Sequence, residues 1–180
     1  MQFIPTAIPD LYLVQPLSFE DPRGYFFESY NKNAFKKQGI NVEFLQDNQS
    51  LSQRGVLRGL HFQNPPYAQG KLVRVIKGAV LDAVVDIRKK SPTYGQSFSH
   101  ELNEQNKTML WIPPGFAHGF LTLKDQTIFS YKCTQVYNKE SEDSILWNDQ
   151  DLNIPWSITN PILSEKDTRS KAFKDFLSLF

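Results

Sequence analysis

The chain has 180 residues, of which 40% are hydrophobic and 22% are charged, and its formal net charge is +1. A chain of this length and balance is typical of a globular protein, and we expect a single domain over residues 1–180. The near-zero net charge gives no support to a basic surface for nucleic acid, and we expect no such partner.

The sequence also predicts a soluble protein of a reducing compartment. Its only cysteine, Cys133, excludes an intrachain disulfide, whereas small secreted domains usually contain several. No stretch approaches the ~18 apolar residues of a membrane-spanning helix. The N-terminal residues lack the basic region and apolar core of a signal peptide. We therefore expect a cytoplasmic protein without membrane contact.

The predicted elements are mostly short strands separated by Gly, Pro and Asn. Residues 32–38, followed by Gly39, are predicted as a short helix because glycine commonly ends one. Strands are then predicted over residues 56–62, 72–87 (two strands meeting near Lys77-Gly78), 108–112, 118–123 and 127–134. Residues 167–180 are predicted as a second helix with Phe173, Phe176 and Leu177 on one side. Many closely spaced strands indicate an all-β sandwich or barrel with a few short peripheral helices.

Polar side chains in or beside the predicted strands are candidate site residues. His61 is in RGVLRGLHFQ (residues 54–63), and His118 follows the rigid turn of WIPPGFAHGF (residues 111–120). Polar groups inside a barrel are costly unless they are paired or functional. Either these groups converge on one pocket, or their strands simply have one solvated face. The same set includes Arg58, Lys71, Arg74, Asp82 and Tyr131, whereas His100 is interpreted as ordinary surface.

The direction of two of these side chains is an open question. Arg58 and His61 fall on opposite faces of a regular strand, since side chains alternate. If both line one pocket, the strand must bulge or twist, and Gly59 is the expected place. Asp82 raises a similar question, because it either pairs with Lys71 inside the barrel or lies on a solvated face.

A metal site is the first specific hypothesis for the two histidines. PPGFAH (residues 113–118) matches the P-x-G-x-x-H end of the second cupin motif. Metal-binding cupins also have an H-x-H and a nearby Glu on the earlier strand, where this chain has His61-Phe62-Gln63 and no Glu before Lys71. Two histidines without a third strong ligand make a poor transition-metal site. We expect a cupin-type fold with no metal and no other cofactor.

No common nucleotide-binding loop is present in the sequence. It contains no glycine-rich phosphate loop and no G-x-G-x-x-G pattern, so nucleotide recognition would use scattered side chains. Arginine suits phosphate because its planar group donates two parallel hydrogen bonds. The candidates are Arg23 and Glu28 in FEDPRGYFFESYN, and Gln46, Asp47 and Asn48 in FLQDNQS.

Eight motifs between residues 19 and 167 occur in an order that indicates a family. They are FEDPRGYFFESYN, QDNQS, GVLRGLHFQ, QGKLVRV, SPTYGQ, WIPPGFAHGF, YKCT and PILSEKD. On these motifs the chain resembles the dTDP-4-dehydrorhamnose 3,5-epimerases, metal-free cupin-type enzymes of dTDP-L-rhamnose synthesis. The resemblance implies a jelly-roll β-barrel, isomerase activity and a dTDP-sugar substrate. It also implies a homodimer in which Arg23 and Glu28 serve the neighbouring site.

The resemblance implies a role for each matching residue. His61 matches the proton-abstracting base, Asp167 the carboxylate that orients it, and Tyr131 the acid that returns a proton from the opposite face. Lys71 and His118 match groups near the sugar ketone or the diphosphate. Nucleotide-sugar contacts are implied for Arg23, Glu28, Gln46, Asp47, Asn48, Arg58, Glu142 and Lys166, with Phe19 and Tyr137 as stacking candidates.

The implied reaction explains these residue types. In dTDP-4-keto-6-deoxy-D-glucose the C3 and C5 protons flank the ketone, and removal of either proton gives an enolate. A histidine held by a carboxylate suits the base near neutrality, and a lysine suits the enolate oxygen. Reprotonation from the other face, as epimerisation to dTDP-4-dehydro-L-rhamnose requires, needs a separate acid.

Three other functions are alternatives at this point. One is a C3-only epimerase of a related nucleotide-linked 4-keto sugar, which would share His61, Asp167 and Tyr131. A second is a non-catalytic cupin-type sugar-binding protein, which would have no need of a base and an acid. A metal-dependent cupin oxygenase ranks last, because the third ligand is missing.

Overall fold

The computed structural model describes residues 1–180, and its secondary structure is almost entirely β. One helix, α1 (Lys32–Lys37), and two 3₁₀ turns (Asp167–Arg169 and Phe173–Asp175) are short. No helix has the length and apolar character needed to span a membrane. The strands are, in chain order, β1 (Gln2–Pro5), β2 (Tyr12–Gln15), β3 (Ser18–Asp21), β4 (Gly24–Phe27), β5 (Gln46–Ser52), β6 (Leu57–Gln63), β7 (Lys71–Lys77), β8 (Ala79–Asp86), β9 (Ser97–Asn103), β10 (Met109–Ile112), β11 (Phe116–Thr122), β12 (Thr127–Cys133) and β13 (Glu142–Ser144).

Two large antiparallel sheets and one small hairpin contain all the strands. The first sheet has the order β1-β2-β10-β7-β12-β5, the second has the order β13-β6-β11-β8-β9, and β3 pairs with β4. The chain crosses from the first sheet to the second at Gly78, between β7 and β8. Gly78 has a φ of +87°, and a Cβ there would lie 2.2 Å from Oγ1 of Thr127. Only glycine therefore fits this corner without a rearrangement.

The two large sheets pack face to face around a hydrophobic core. Both sheets contribute strand residues that are at most 5% exposed, including Val73, Val75, Leu110, Ile112 and Phe129 from the first and Val80, Val84, Leu102, Phe116 and Phe120 from the second. Full burial of one such side chain stabilises the fold by about 1.5–3 kcal/mol. This core therefore gives the polar side chains near it a rigid support.

Most of the predicted elements are confirmed, and so is the all-β class. The strands predicted between residues 56 and 134 correspond to β6, β7, β8, β10, β11 and β12, with ends shifted by one or two residues. The first predicted helix is α1, whose N-terminal N–H groups are capped by the side chain of Asn31. Among the strands that were not predicted, β5 and β9 are polar and lie at sheet edges.

The helix predicted over residues 167–180 is wrong. This segment has only the two 3₁₀ turns and is otherwise extended. Its backbone bonds to the rest of the protein, since the N–H of Leu146 donates to the carbonyl of Lys171 at 2.8 Å. Phe176 is buried, but Leu177 is 71% exposed. Tertiary contacts therefore override the weak helical periodicity of these residues.

Candidate active site

A cavity of about 420 Å³ opens between the two large sheets and is lined by all of the predicted catalytic residues. Its walls come from both sheets and from the loop that precedes the first 3₁₀ turn. The predicted residues that line it are Arg58, His61, Lys71, His118, Tyr131 and Asp167. The fold therefore brings together side chains from β6, β7, β11, β12 and the C-terminal segment.

Arg58 and His61 line the same cavity because β6 bulges between them. The register of β6 against β11 shifts at this point, so two residues of β6 face one residue of β11. Gly59 has a φ of +137°, and a Cβ on it would lie 2.5 Å from the Cα of Gly119. Glycine is therefore required for both its conformation and its small size. The bulge predicted at Gly59 is confirmed.

His61 is held by a carboxylate from the C-terminal segment. Its Nε2 is 2.5 Å from Oδ1 of Asp167. Asp167 is 2% exposed, and burial by itself would raise its pKa, but hydrogen bonds from His61 and Ser164 outweigh burial and lower the pKa. Asp167 is therefore ionised beside the imidazole, and Nδ1 is the ring nitrogen that this carboxylate leaves unbound.

His118 is bound to a different carboxylate, farther from solvent. Its Nε2 is 2.9 Å from Oδ2 of Asp82, and both residues are buried. Burial lowers the pKa of His118, although Asp82 opposes the shift, so the imidazole is neutral near pH 7. Both alternatives considered for Asp82 are wrong. It lies inside the barrel, but its hydrogen-bond partner is His118 and not Lys71.

Lys71, at the start of β7, has its ammonium group inside the protein. The residue is 9% exposed, and its Nζ is 3.5 Å from the carbonyl oxygen of His61. Burial lowers the pKa of this lysine, and nearby acidic groups oppose the shift. An ammonium group has three donors, so Lys71 has donors available for a ligand in the cavity.

Tyr131 lies on β12, in the sheet opposite that of His61. Its side chain lines the cavity, and burial raises the pKa of the phenol. The hydroxyl is therefore protonated at neutral pH and can donate its proton. The cavity thus has a candidate base on one wall and a candidate acid on the other.

A second cavity of about 350 Å³ continues from the first, because three of the residues just described line both. Four predicted contacts line it: Gln46, Asn48, Glu142 and Tyr137. Glu142 forms an ion pair with Lys166 and accepts a hydrogen bond from the hydroxyl of Tyr137 at 2.9 Å. Burial raises the pKa of Glu142, but these two partners outweigh it and lower the pKa. The space therefore has a polar extension beyond the candidate base and acid.

Five other predicted contacts do not line either cavity, and one of them, Lys166, is held beside the second cavity by its ion pair with Glu142. Asp47 alternates with two cavity residues along β5 and forms an ion pair on the outer face of the sheet. The side chain of Arg23 is 90% exposed on the β3–β4 hairpin. Phe19, on the same hairpin, and Glu28, which follows it, are also exposed. Within one chain, the structure does not bring Asp47, Arg23, Phe19 or Glu28 to His61.

Several cavity residues were missed by the sequence analysis. The hydroxyl of Ser50 is buried without a hydrogen-bond partner, which leaves it for a ligand. Its signal in the sequence is its spacing of two residues from Asn48, which puts both on one strand face. Leu163 and Ser164 also line the cavity. They reach it through contacts of the C-terminal segment with β6, for which the sequence has no local signal.

The two cavity histidines are not arranged as a metal site. No group of three or more His, Cys, Asp or Glu side chains in the chain could hold a metal ion. Each histidine instead has a carboxylate of its own, and the cavity also contains the amine of Lys71. This set of groups suits proton transfer. Together with the two-sheet barrel, it fits the cupin-type acid–base site that the motifs predict.

Comparison with known proteins identifies the family. The family model described as dTDP-4-dehydrorhamnose 3,5-epimerase matches residues 5–175. The chain is 51% identical over 176 residues to the dTDP-4-dehydrorhamnose 3,5-epimerase of Shigella flexneri, which covers 97% of each protein. The chain therefore belongs to the dTDP-4-dehydrorhamnose 3,5-epimerase family, a family of isomerases, as its motifs predict.

Solved structures agree with this assignment. The dTDP-4-dehydrorhamnose 3,5-epimerase of Elizabethkingia anophelis has a TM-score of 0.93 and 49% identity, covering 97% of each chain. The dTDP-6-deoxy-D-glucose-3,5-epimerase of Legionella pneumophila, in complex with dTDP-4-keto-L-rhamnose, has a TM-score of 0.92 and 45% identity. That match covers 96% of this chain and 93% of the Legionella chain. The cupin-type fold is therefore shown by structure as well as by sequence.

Proposed function

We propose that the chain epimerises dTDP-4-keto-6-deoxy-D-glucose at C3 and C5 to dTDP-4-dehydro-L-rhamnose, a step of dTDP-L-rhamnose biosynthesis. The observation that carries this proposal is the position of the His61–Asp167 pair and of Tyr131 on opposite walls of one cavity. Family membership supports the substrate class, and so does the dTDP-4-keto-L-rhamnose in the complex of the Legionella relative.

His61 is the base in this proposal. Its Nδ1 takes the proton from C3 or C5, and the electron pair of the broken C–H bond is delocalised onto the ketone oxygen as an enolate. Asp167, at 2.5 Å from Nε2, holds the neutral ring with its proton on Nε2 and stabilises the imidazolium that forms. An accessible imidazole with a buried carboxylate behind it suits this step.

Lys71 and Tyr131 complete the reaction. The ammonium group of Lys71 stabilises the charge that develops on the enolate oxygen. The phenol of Tyr131 then gives its proton to the carbon from the opposite face, which inverts the configuration. Solvent removes the proton from His61 and restores that of Tyr131, so no co-reactant is consumed. His118 lies beside these groups, near the ketone or the diphosphate.

The polar groups around the cavity are proposed to bind the nucleotide and the sugar. Arg58 is suited to the diphosphate because guanidinium groups bind phosphate through paired hydrogen bonds. The unpartnered hydroxyl of Ser50 is available for a sugar hydroxyl. The nucleotide extends into the second cavity, where Gln46, Asn48, Glu142 and Lys166 contact it and Tyr137 stacks beside it.

The functional unit is proposed to be a homodimer. Phe19 is 60% exposed and the side chain of Arg23 is 90% exposed, so their proposed contacts, like those of Glu28 and Asp47, require a second subunit. Light scattering tests the dimer. Mixing Arg23→Ala with His61→Ala subunits should restore activity that neither variant has alone, because one site of the mixed dimer keeps both residues. Activity that stays absent in the mixture would argue against a shared site.

Deuterium incorporation tests the reaction and separates it from the C3-only alternative. The protein is incubated with dTDP-4-keto-6-deoxy-D-glucose in D₂O, and the sugar is followed by ¹H NMR. Deuterium is expected at both C3 and C5. Incorporation at C3 alone would show a C3-only epimerase.

A second measurement separates an enzyme from a sugar-binding protein. His61→Ala should abolish deuterium incorporation while largely preserving the affinity for dTDP, measured by calorimetry. Turnover that is unchanged in His61→Ala would refute the assignment of the base. Binding by the wild-type protein without any exchange would support the non-catalytic alternative.

A further inference from the structure

Asp167 is held by a second side chain besides His61. The hydroxyl of Ser164 donates to Oδ2 of Asp167 at 2.7 Å, and the backbone N–H of Asp167 donates to the same hydroxyl oxygen at 3.2 Å. The two residues are in the order S-x-x-D, and Ser164 lies two positions before Lys166, the N-cap of the first 3₁₀ turn, which has no side-chain cap of its own. Ser164 and Asp167 are therefore joined by two contacts, one to the carboxylate and one from the backbone of Asp167.

These two contacts fix the direction of the serine proton. Because an ionised carboxylate oxygen can only accept, the O–H of Ser164 points to Oδ2. Oδ1 is then left for Nε2 of His61 at 2.5 Å. Each carboxylate oxygen has one short hydrogen bond, so a rotation of the carboxylate would break both.

We infer that Ser164 is a positioning residue for the base, because it keeps Oδ1 of Asp167 directed at Nε2 of His61. The inference rests on the proposed epimerase function. With the carboxylate fixed, the neutral imidazole keeps its proton on Nε2 and presents Nδ1 to the substrate. Asp167 belongs to a segment without strands or α-helix, and the contact with Ser164 supplies the local rigidity that regular structure would otherwise provide.

The local contacts make a specific test possible. Ser164 is exposed, and its hydroxyl makes no side-chain hydrogen bond except those with Asp167. Replacing it with alanine therefore changes the support of the carboxylate and leaves the core intact. Ser170 is a matched control in the same segment, since its hydroxyl shares a hydrogen bond of 2.9 Å with Ser144.

Kinetics of three variants provide the first readout. Ser164→Ala is expected to lower kcat by about 10-fold, the effect of losing one hydrogen bond to a charged group. KM should change by less than about 3-fold, because the lost contact acts on the base and not on substrate binding. Ser164→Thr, which keeps the hydroxyl, should restore most of kcat. Ser170→Ala should match the wild type.

The tautomer of His61 provides the second readout. The chain has three histidines, so ¹⁵N-histidine NMR spectra are simple, and the signals missing from His61→Asn identify those of His61. We expect the Nε2–H tautomer in the wild type and in Ser164→Thr, and a mixture of tautomers in Ser164→Ala. A lower kcat with an unchanged tautomer would show a merely structural role and overturn the inference.

Two further outcomes distinguish failure of the positioning role from failure of the proposed function. If Ser164→Ala matches the wild type in both kcat and tautomer, the positioning role is refuted while the proposed function stands. If the wild-type protein does not epimerise the substrate, the proposed function fails, and the tautomer comparison still shows whether Ser164 orients the His61–Asp167 pair.

Discussion

His61 and His118 are directly opposite each other on neighbouring antiparallel strands, and each imidazole is bound to a different carboxylate. The side chain of His61 is 30% exposed, whereas that of His118 is 7% exposed. Burial lowers the pKa of His118 and keeps that imidazole neutral. The accessible histidine is therefore the one suited to proton transfer, and its buried neighbour is suited to a fixed hydrogen bond.

The carboxylate behind His61 should be essential for turnover. Asp167→Asn keeps the size of the side chain but replaces a charged acceptor with an amide that favours the wrong tautomer of the imidazole. We expect kcat to fall by about 10²–10⁴-fold with little loss of stability. Steady-state kinetics and thermal unfolding measure both. Asp143→Asn, in which the residue outside the cavity loses its ion pair with Lys171, is the control and should match the wild type.

Removal of the proposed acid should separate proton exchange from inversion. In Tyr131→Phe, His61 still removes the substrate proton and returns a deuteron from D₂O to the same face. We expect deuterium to enter the substrate while formation of the epimer falls by about 100-fold or more. NMR measures both. Tyr94→Phe, at a tyrosine packed on Phe173, should behave as the wild type. Normal epimer formation in Tyr131→Phe would contradict the assigned acid.

The bulge in β6 can be tested by adding a single methyl group. Gly59→Ala puts a Cβ 2.5 Å from the backbone of Gly119 at a φ of +137°. We expect the free energy of unfolding to fall by about 2–4 kcal/mol and activity to fall with it, because strain and overlap combine. Gly39→Ala also has a positive φ, but no atom lies within 4 Å of its Cβ. It should cost only about 1 kcal/mol, and equal losses in denaturant titrations would show that the close approach is unimportant.

A buried ion pair near the C-terminal segment should make stability depend on pH. Asp86 is fully buried, and burial raises its pKa, but hydrogen bonds from Arg88, Ser91 and Thr93 outweigh burial and lower the pKa below 3.8. Asp86→Asn should reduce the free energy of unfolding by about 2–3 kcal/mol at pH 7. This is less than for a pair in which both partners are buried, because the side chain of Arg88 is 21% exposed. Asp10→Asn, which removes the exposed partner of Arg88, should cost less than about 1 kcal/mol.

The pH dependence of that loss follows from the direction of the pKa shift. A carboxylate whose folded pKa is below its unfolded pKa stabilises the protein fully above the unfolded value, and this contribution is lost as the pH falls through the folded value. The difference between the wild type and Asp86→Asn should therefore be constant near neutrality and shrink below about pH 4. Urea titrations at several pH values measure it, and a difference that grows in acid would contradict the assignment.

Local patterns predicted much of the fold and part of the site. Side chains alternate along a regular strand, so Arg58 and His61 can line one pocket only if β6 bulges between them. Gly59 is the residue between them that best tolerates a bulge, and the sequence therefore predicts its position. The pairing of Asp82 with His118 was not predicted, because it depends on the register of β8 against β11. Sequence patterns within one strand do not determine that register.

The C-terminal segment shows the limit of periodicity more clearly. Phe173 and Phe176 have helical spacing, yet the segment is extended because Lys171 bonds to residues near β13. The position of Asp167 follows from this docking, so only the family motif could predict its place beside His61. Arg23 and Glu28 are exposed on one chain, and the site that they complete in the proposed dimer depends on contacts between subunits, which local patterns do not encode.

The docked C-terminal segment also separates formation of the barrel from completion of the candidate active site. The last strand, β13, ends at Ser144, whereas the partner of His61 is Asp167. Every strand of the barrel therefore precedes Asp167 in the chain. The proposed base therefore gains its carboxylate only when the C-terminal segment docks, a step separate from the pairing of the strands.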